Sequence, residues 1–297
     1  MTTFSTSSIP DMNGRTVIVT GANSGIGEVA ARALAAAGAR VVLAVRNVQA
    51  GRRAAAQMSG ATEVRALDLA SLASIREFAG GWEGPVDVLI NNAGVMIPPL
   101  GRTADGFELQ FGTNHLGHFA LTNLLLENVT DRVVTVSSGA HRTGRIDFDD
   151  LNWERKSYKP WLAYSQSKLA NLLFTSELQR RLTAAGSRVI ATAAHPGYAA
   201  TNLQFHSQRG WLDRLSVIGN RVLAQSADAG ALPTLHAACA ELPGDSFAGP
   251  GFADWRGAPK LVGRSRAAGD AAVAARLWDV SEQLTQITFP LSRRGVA

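Results

Sequence analysis

Three features of the sequence predict a single α/β domain, a doubly wound, mostly parallel sheet with helices on both faces. Short apolar runs alternate with stretches of helix-forming composition from the N-terminal region onward. The runs are apolar throughout, as expected of strands covered on both sides. The first of them ends in a glycine cluster, Gly21, Gly25 and Gly27, that opens a helical stretch. With 297 residues, 46% of them hydrophobic, the chain is long enough for one large core and short for two.

Taken in order, residues 16–19 form the first strand, and 24–37 a helix that closes at Gly38, a C-cap glycine. Residues 40–45 are a second strand and 47–58 a helix. Residues 63–67 and 86–90 are strands, followed by a long helical stretch over 107–129. Residues 132–136 form a strand, 163–185 a helix capped near Gly186, and 188–194 a further strand. No internal repeat, low-complexity segment or linker interrupts residues 1–297, so one domain is expected. Two stretches break the rhythm. Residues 139–162 form a long loop carrying Trp153, Tyr158 and Trp161. Residues 203–225 carry Leu203, Phe205, Trp211 and Leu212 with little strand character. Long irregular segments in compact domains are often binding loops or lids. A substrate lid is expected at 203–225, with an amphipathic helix packed on the core as the alternative.

Composition excludes several classes of function. The net charge is +5, but Lys occurs only at 156, 159, 168 and 260 and the Arg residues are scattered. Nucleic-acid binders carry basic runs with interleaved aromatics, so nucleic acid is not an expected partner. No run of about 18 apolar residues predicts a membrane span. Residues 1–14 are polar and lack the basic-then-apolar pattern of a signal peptide. Cys239 is the only cysteine, which rules out an intrachain disulfide or a cysteine zinc cluster. His115, His118, His141 and His195 lack ligand-like spacing, so no metal site is expected. A cytoplasmic protein is the expectation.

The glycine turn points to a dinucleotide. Glycines directly after a strand permit a tight turn, close approach of backbone to pyrophosphate, and a helix N-terminus whose N–H groups face the phosphates. The spacing Gly-x-x-x-Gly-x-Gly places Gly21, Asn23, Ser24, Gly25, Ile26 and Gly27 at that cofactor in a Rossmann fold. An ordinary strand–turn–helix glycine cluster is the alternative. An NAD site commonly holds an acid at the end of the second strand, for the ribose 2′-hydroxyl. Here that place reads Arg46-Asn47. A guanidinium suits a 2′-phosphate, so NADP(H) is expected over NAD(H). A solvent-exposed strand-end arginine is the alternative. Asp68, with Leu69, follows the third strand as a candidate for the adenine edge. Asp68 could instead cap the next helix, with Ser71 as a rival cap.

Tyr164 and Lys168 lie four apart, on one face of a predicted helix. A phenol titrates near 10, and a neighbouring ammonium stabilises its phenolate, lowering the pKa toward neutrality. Ser138 and Asn92 follow their strands at the carboxyl edge of the sheet, where ligands of doubly wound folds bind.

These residues resemble the short-chain dehydrogenase/reductase family. The resemblance rests on Thr20-Gly-Ala-Asn-Ser-Gly-Ile-Gly27, Asn91-Asn-Ala-Gly94, Asn114, Ser138, Tyr164-x-x-x-Lys168, and Pro196-Gly197 followed by Thr201. It covers about residues 14–205, in family order. It implies Tyr164 as general acid/base and Lys168 as the group that lowers its pKa and holds the nicotinamide ribose. Ser138 would hydrogen-bond the substrate oxygen, and Asn114 would support a water of a proton relay. Asn92, Ala93, Gly94, Pro196, Gly197 and Thr201 would line the cofactor. Residues 145–152, Arg46-Asn47 and Phe111-x-x-Asn114-His-Leu-Gly-His-Phe119 are similar to the retinol-dehydrogenase-like branch, whose relatives include protochlorophyllide reductases. The branch implies a lipophilic carbonyl or alcohol as the small-molecule substrate; because cells keep the NADP pool mostly reduced, reduction is the expected direction. C=C reduction on an enone-like substrate and a non-catalytic NADP(H) sensor are the alternatives. A homodimer is expected by analogy only.

Overall fold

The structure is a computed structural model that describes residues 4–197, 226–252 and 255–291. Eight strands form one sheet in the order β3-β2-β1-β4-β5-β6-β7-β8. They are β1 (Thr16–Thr20), β2 (Arg40–Val45), β3 (Thr62–Ala66), β4 (Val86–Asn91), β5 (Val129–Val136), β6 (Ile190–Ala194), β7 (Phe247–Phe252) and β8 (Arg256–Leu261). All neighbours pair in parallel except β7 and β8, which are antiparallel. The doubly wound, mostly parallel sheet expected from the sequence is therefore present. Its order reverses between β1 and β4, and this opens the crevice where such sheets bind ligands.

The helices cover both faces because both faces are apolar. On one side, α1 (Gly25–Ala36), α2 (Val48–Ala55) and α7 (Ala227–Cys239) bury Ala30, Leu34, Ala54 and Leu235 against Val17, Val19, Val41 and Ile90. On the other lie α3 (Leu72–Gly80), α5 (Gly117–Leu125), α6 (Pro160–Ala184) and α8 (Ala271–Thr285). There Trp278 of α8 packs edge-on against Phe119, with ring centroids 4.9 Å apart, and stacks on Phe174 at 5.7 Å. Arg181 lies over the other side of that indole, 4.6 Å from its centroid.

Element bounds depart from the sequence reading in one informative place. Residues 107–129 are not one helix. A single turn, α4 (Leu109–Phe111), starts where the Glu108 carboxylate accepts from the N–H groups of Gln110 and Phe111, at 2.9 and 2.7 Å. A π turn, Gly112–Leu116, follows, and the Gly117 N–H reaches back to the Gly112 carbonyl. Then α5 runs only to Leu125, and β5 begins at Val129 rather than Arg132. A π turn widens the ladder by one residue, and composition does not mark it. The sequence reading also left α3, α7, β7, β8 and α8 undrawn. The 139–162 loop contains a 3-10 turn, Gly139–Thr143, and gives way to α6 at Pro160. The lid expected at 203–225 lies outside the described residues. Among the described residues, no helix is long and apolar enough to cross a membrane.

Two fully buried histidines follow the π turn's course. His115 Nε2 lies 2.9 Å from Ser281 Oγ, and His118 Nδ1 lies 3.0 Å from the Asn114 main-chain oxygen. Burial pushes their pKa values down to about 3 and about 4; proximity of a second imidazole adds to this at His115, while at His118 the Asn114 carbonyl pulls part of the way back and Lys168 pushes further down. A histidine depressed in the folded state binds its proton more readily when unfolded, so stability is full above pH 6.5 and falls as pH drops. Each should cost about 2 kcal/mol between pH 7 and pH 5. Urea unfolding at the two pH values measures this; a midpoint that stays level would contradict the burial of both rings as neutral groups.

Candidate active site

The parallel register brings the ends of four strands to one edge. Val19 of β1 pairs with Ile90 of β4, Asn91 with Thr135 of β5, and Val136 with Ala194 of β6. Thr20, Asn92, Ser137 and His195 therefore lie along a single carboxyl edge, with the glycine turn above β1.

Gly21 and Gly25 take positive φ values of 67° and 58°, which side-chain-bearing residues rarely adopt. Gly27 is forced by a close approach: a Cβ there would meet Asn92 Nδ2 and lie 2.7 Å from the Gly21 carbonyl. Ser24 stands at the N-cap of α1, and Ile26 and Gly27 occupy its first turn, whose free N–H groups form an anion-binding end. Thr20 ties this cradle to β4. Its Oγ1 accepts from the N–H groups of Asn92 and Ala93, both at 2.9 Å, while Asn92 Nδ2 donates to the Thr20 carbonyl at 2.8 Å. The sequence reading gave Thr20 no role of its own. The available signal was a hydroxyl at the last position of an otherwise apolar strand, directly before the first glycine.

Arg46 is exposed at the end of β2 and makes no side-chain hydrogen bond or ion pair among the described residues. Asn47 caps α2 by accepting from the Ala50 N–H at 2.9 Å. Asp68 accepts from the Ala70 N–H at 2.9 Å, whereas Ser71, which accepts from Ser74, is the cap of α3. Leu69 is buried under α5. The cap assignment thus goes to Ser71, and the Asp68 carboxylate stays half-buried at the end of β3.

The catalytic candidates converge. Pro160 at the first position starts α6, and its spacing puts Tyr164 and Lys168 on successive turns of one face, both buried. The Ser138 side chain lies close enough to the Tyr164 phenol to lower its pKa. Ser138 Oγ accepts from the Ala140 N–H at 3.2 Å, which fixes it at the start of the 3-10 turn. Lys168 Nζ donates to the Val136 carbonyl at 3.1 Å and lies 5.7 Å from the centre of the Tyr164 ring. Gly94 faces this cluster, and a Cβ there would be 3.1 Å from Asn114 Oδ1 and 3.5 Å from Lys168 Nζ. Only a residue without a side chain leaves that space open. The neighbouring Ser137 gives its hydroxyl to the Lys168 carbonyl at 2.7 Å, a purely structural bond.

One expectation is corrected. Burial pushes the Tyr164 phenol up to about 12, with the Ser138 side chain pulling it part of the way back, rather than down toward neutrality. Burial also pushes Lys168 down to about 8. In the protein alone, loss of hydration disfavours charge on both groups. The Asn114 amide is held in place, with one acceptor site of its oxygen left open. Its oxygen accepts from the Val95 N–H at 2.8 Å, and its nitrogen donates to the Val95 carbonyl and to Ser167 Oγ, both at 2.9 Å. Gly197 donates its N–H to His195 Nδ1 at 3.2 Å beside Pro196, and Thr201 lies outside the described residues.

A cavity of about 420 Å³ opens between the 139–162 insertion and the first turns of α6, lined by Trp153, Lys156, Leu162 and Gln166 among others. Leu162 and Gln166 are two residues either side of Tyr164, so they project from the opposite side of the helix. This cavity is not the space above the catalytic cluster.

Comparison with known proteins agrees with this geometry. A family model described as short chain dehydrogenase matches residues 15–210. Human retinol dehydrogenase 13 is 45% identical over 299 aligned positions, spanning 94% of this chain and 87% of its own. A crystal structure of an uncharacterised protein from Mycobacterium paratuberculosis is 56% identical, covers 98% of this chain and 100% of its own, and superposes with a TM-score of 0.86. An NADP-bound structure described as an NAD(P)-dependent gluconate 5-dehydrogenase from Beutenbergia cavernae is 26% identical, with a TM-score of 0.56 over 77% of this chain and 91% of its own. The chain belongs to the short-chain dehydrogenase/reductase family, in its retinol-dehydrogenase-like branch, and is an oxidoreductase acting on alcohol and carbonyl groups.

Proposed function

We propose that the protein is an NADP(H)-dependent oxidoreductase that interconverts a lipophilic carbonyl compound and its alcohol, with Tyr164 as general acid/base. The observation that carries this reading is the convergence of Ser138, Tyr164 and Lys168 at the carboxyl edge beside the glycine cradle, with Lys168 one turn from Tyr164. The cradle of Gly21, Gly25 and Gly27 fits a pyrophosphate, and a bound nicotinamide would supply or accept the hydride. The residues then divide the remaining work. Ser138 holds the substrate oxygen. Tyr164, protonated up to about 12, gives that oxygen a proton as the carbonyl becomes an alcohol. Lys168, at about 8, is largely cationic at pH 7 and favours the negative charge left on the phenol. A phenol kept protonated suits reduction, so we assign reduction as the working direction.

Arg46 supports NADP(H). It stands free where an acid would contact a ribose hydroxyl, and its planar fork matches a 2′-phosphate. A lipophilic substrate is supported by Trp161, which is 47% exposed with its ring centre 6.1 Å from that of Tyr164, and by exposed Leu100 on the β4–α4 loop. The name printed for the human relative, retinol dehydrogenase, points to the same class.

Tyr164→Phe should lower kcat for NADPH-dependent reduction of a lipophilic aldehyde by about 10³-fold, while the NADPH Kd changes by less than about threefold. Stopped-flow turnover with fluorescence titration checks both, and residual activity above a tenth would remove Tyr164 from the chemistry. Arg46→Ser should weaken NADPH by about tenfold or more and leave NADH unchanged. Equal weakening of the two cofactors would show that Arg46 does not read the 2′-phosphate.

A further inference from the structure

The buried hydrogen bonds around Thr20 and His118 have one consistent direction. Two backbone N–H groups, of Asn92 and Ala93, donate to Thr20 Oγ1. An amide N–H can only donate, so both lone pairs of the hydroxyl are taken and its own hydrogen must go elsewhere. His118 Nε2 lies 3.0 Å away, and the Ile90 carbonyl is more distant at 3.4 Å. Across the ring, His118 Nδ1 faces the Asn114 main-chain oxygen at 3.0 Å. A carbonyl can only accept, so Nδ1 carries the hydrogen. Burial keeps the imidazole neutral, and the Lys168 ammonium nearby adds to this. A neutral ring protonated at Nδ1 has a bare Nε2, which is the acceptor that the Thr20 hydroxyl requires. Every atom in the chain is then satisfied, with no choice of tautomer left open.

This chain joins two parts of the site that the fold builds from different elements. One end is the Asn92–Ala93 segment, which lies against the glycine cradle. The other is Asn114, whose amide shares with Lys168 Nζ the space in front of Gly94. The Asn114 amide is already fixed by Val95 and Ser167. What His118 adds is a bond to the Asn114 main-chain carbonyl, within the π turn. His118 stands four residues after Asn114, on the same face. We propose that His118 is a positioning residue: locked as the neutral Nδ1–H tautomer, it couples the cofactor cradle, through Thr20, to the main-chain carbonyl of Asn114 in the catalytic cluster. The coupling to turnover rests on the proposed NADP(H)-dependent reaction. The tautomer does not.

The test combines spectroscopy and kinetics on the full chain. In two-bond ¹H–¹⁵N spectra of ¹⁵N-histidine-labelled protein, with His118 assigned by its loss in His118→Phe or His118→Asn, Nδ1 should be protonated and Nε2 bare from pH 8 to pH 5.5. The Nε2 resonance should move when NADPH is added. An Nε2–H tautomer or an imidazolium at pH 6 would overturn the proposal, as would NADPH binding, followed by fluorescence in the same sample, without any change at His118. If NADPH does not bind, the cofactor assignment falls and the tautomer alone decides the direction of the chain. In kinetics, His118→Phe should lose about 30-fold in kcat with KM for NADPH and for the aldehyde within about twofold. His118→Asn keeps a donor toward the Asn114 carbonyl but gives up the acceptor for Thr20, so it should recover part of that loss and not all of it. A kcat for His118→Phe within twofold of the unaltered protein would count against the coupling, as would a His118→Asn no better than His118→Phe. Should His118→Phe not fold, the tautomer and the His118→Asn rate still decide.

Discussion

The central strands are buried on both faces, and this constraint arranges everything else. Every residue of β1 is buried, and in β4 and β5 the residues nearest the carboxyl edge are too. A strand in that position cannot carry solvent-facing chemistry along its length without burying unpaired polar groups. Polar function is therefore expelled to the strand ends, and the parallel register aligns those ends along one edge. Thr20, Asn92 and Ser138 are each at or just past the last residue of a strand, and they are neighbours for that reason alone. The helix that follows β1 begins at the same edge, so its free N–H groups face the same crevice as the catalytic side chains.

Burial also sets the electrostatics. Tyr164 and Lys168 both lose water, which opposes charge on either, and the pair is displaced in opposite directions, to about 12 and about 8. The lysine keeps one carbonyl partner, Val136. The result is a neutral proton donor beside a readily formed cation, with two neutral histidines behind them. Such a site favours the transfer of a proton over its permanent loss, because a separated charge has little water to stabilise it.

The sequence made the site more legible than its surroundings. Gly21, Gly27, Gly94, Ser138, Tyr164 and Lys168 are held by requirements that only one residue type meets: a positive φ, a missing Cβ, a hydroxyl or an ammonium at a set place. Those requirements are local, so they survive in the one-dimensional pattern. The π turn at Gly112–Leu116 left no trace, because its residues have ordinary helical composition and the extra residue in the ladder is a matter of hydrogen-bond register. The direction of the Tyr164 shift was also hidden. An i, i+4 pair fixes proximity, whereas desolvation depends on what α8, the insertion and the sheet place around it. His118 reads as a packing histidine in sequence, and its two bonds appear only when β1 and the π turn meet.

In the proposed reaction a bound nicotinamide would exchange hydride directly with the substrate carbon, and the protein would move only the proton. Reduction of a lipophilic aldehyde with NADPH carrying deuterium at C4, followed by mass and NMR analysis of the alcohol, tests this most directly. Deuterium from one C4 face alone, retained on the carbinol carbon, is the predicted result. A product without deuterium, or with label lost to solvent, would contradict direct transfer and the assignment of roles built on it.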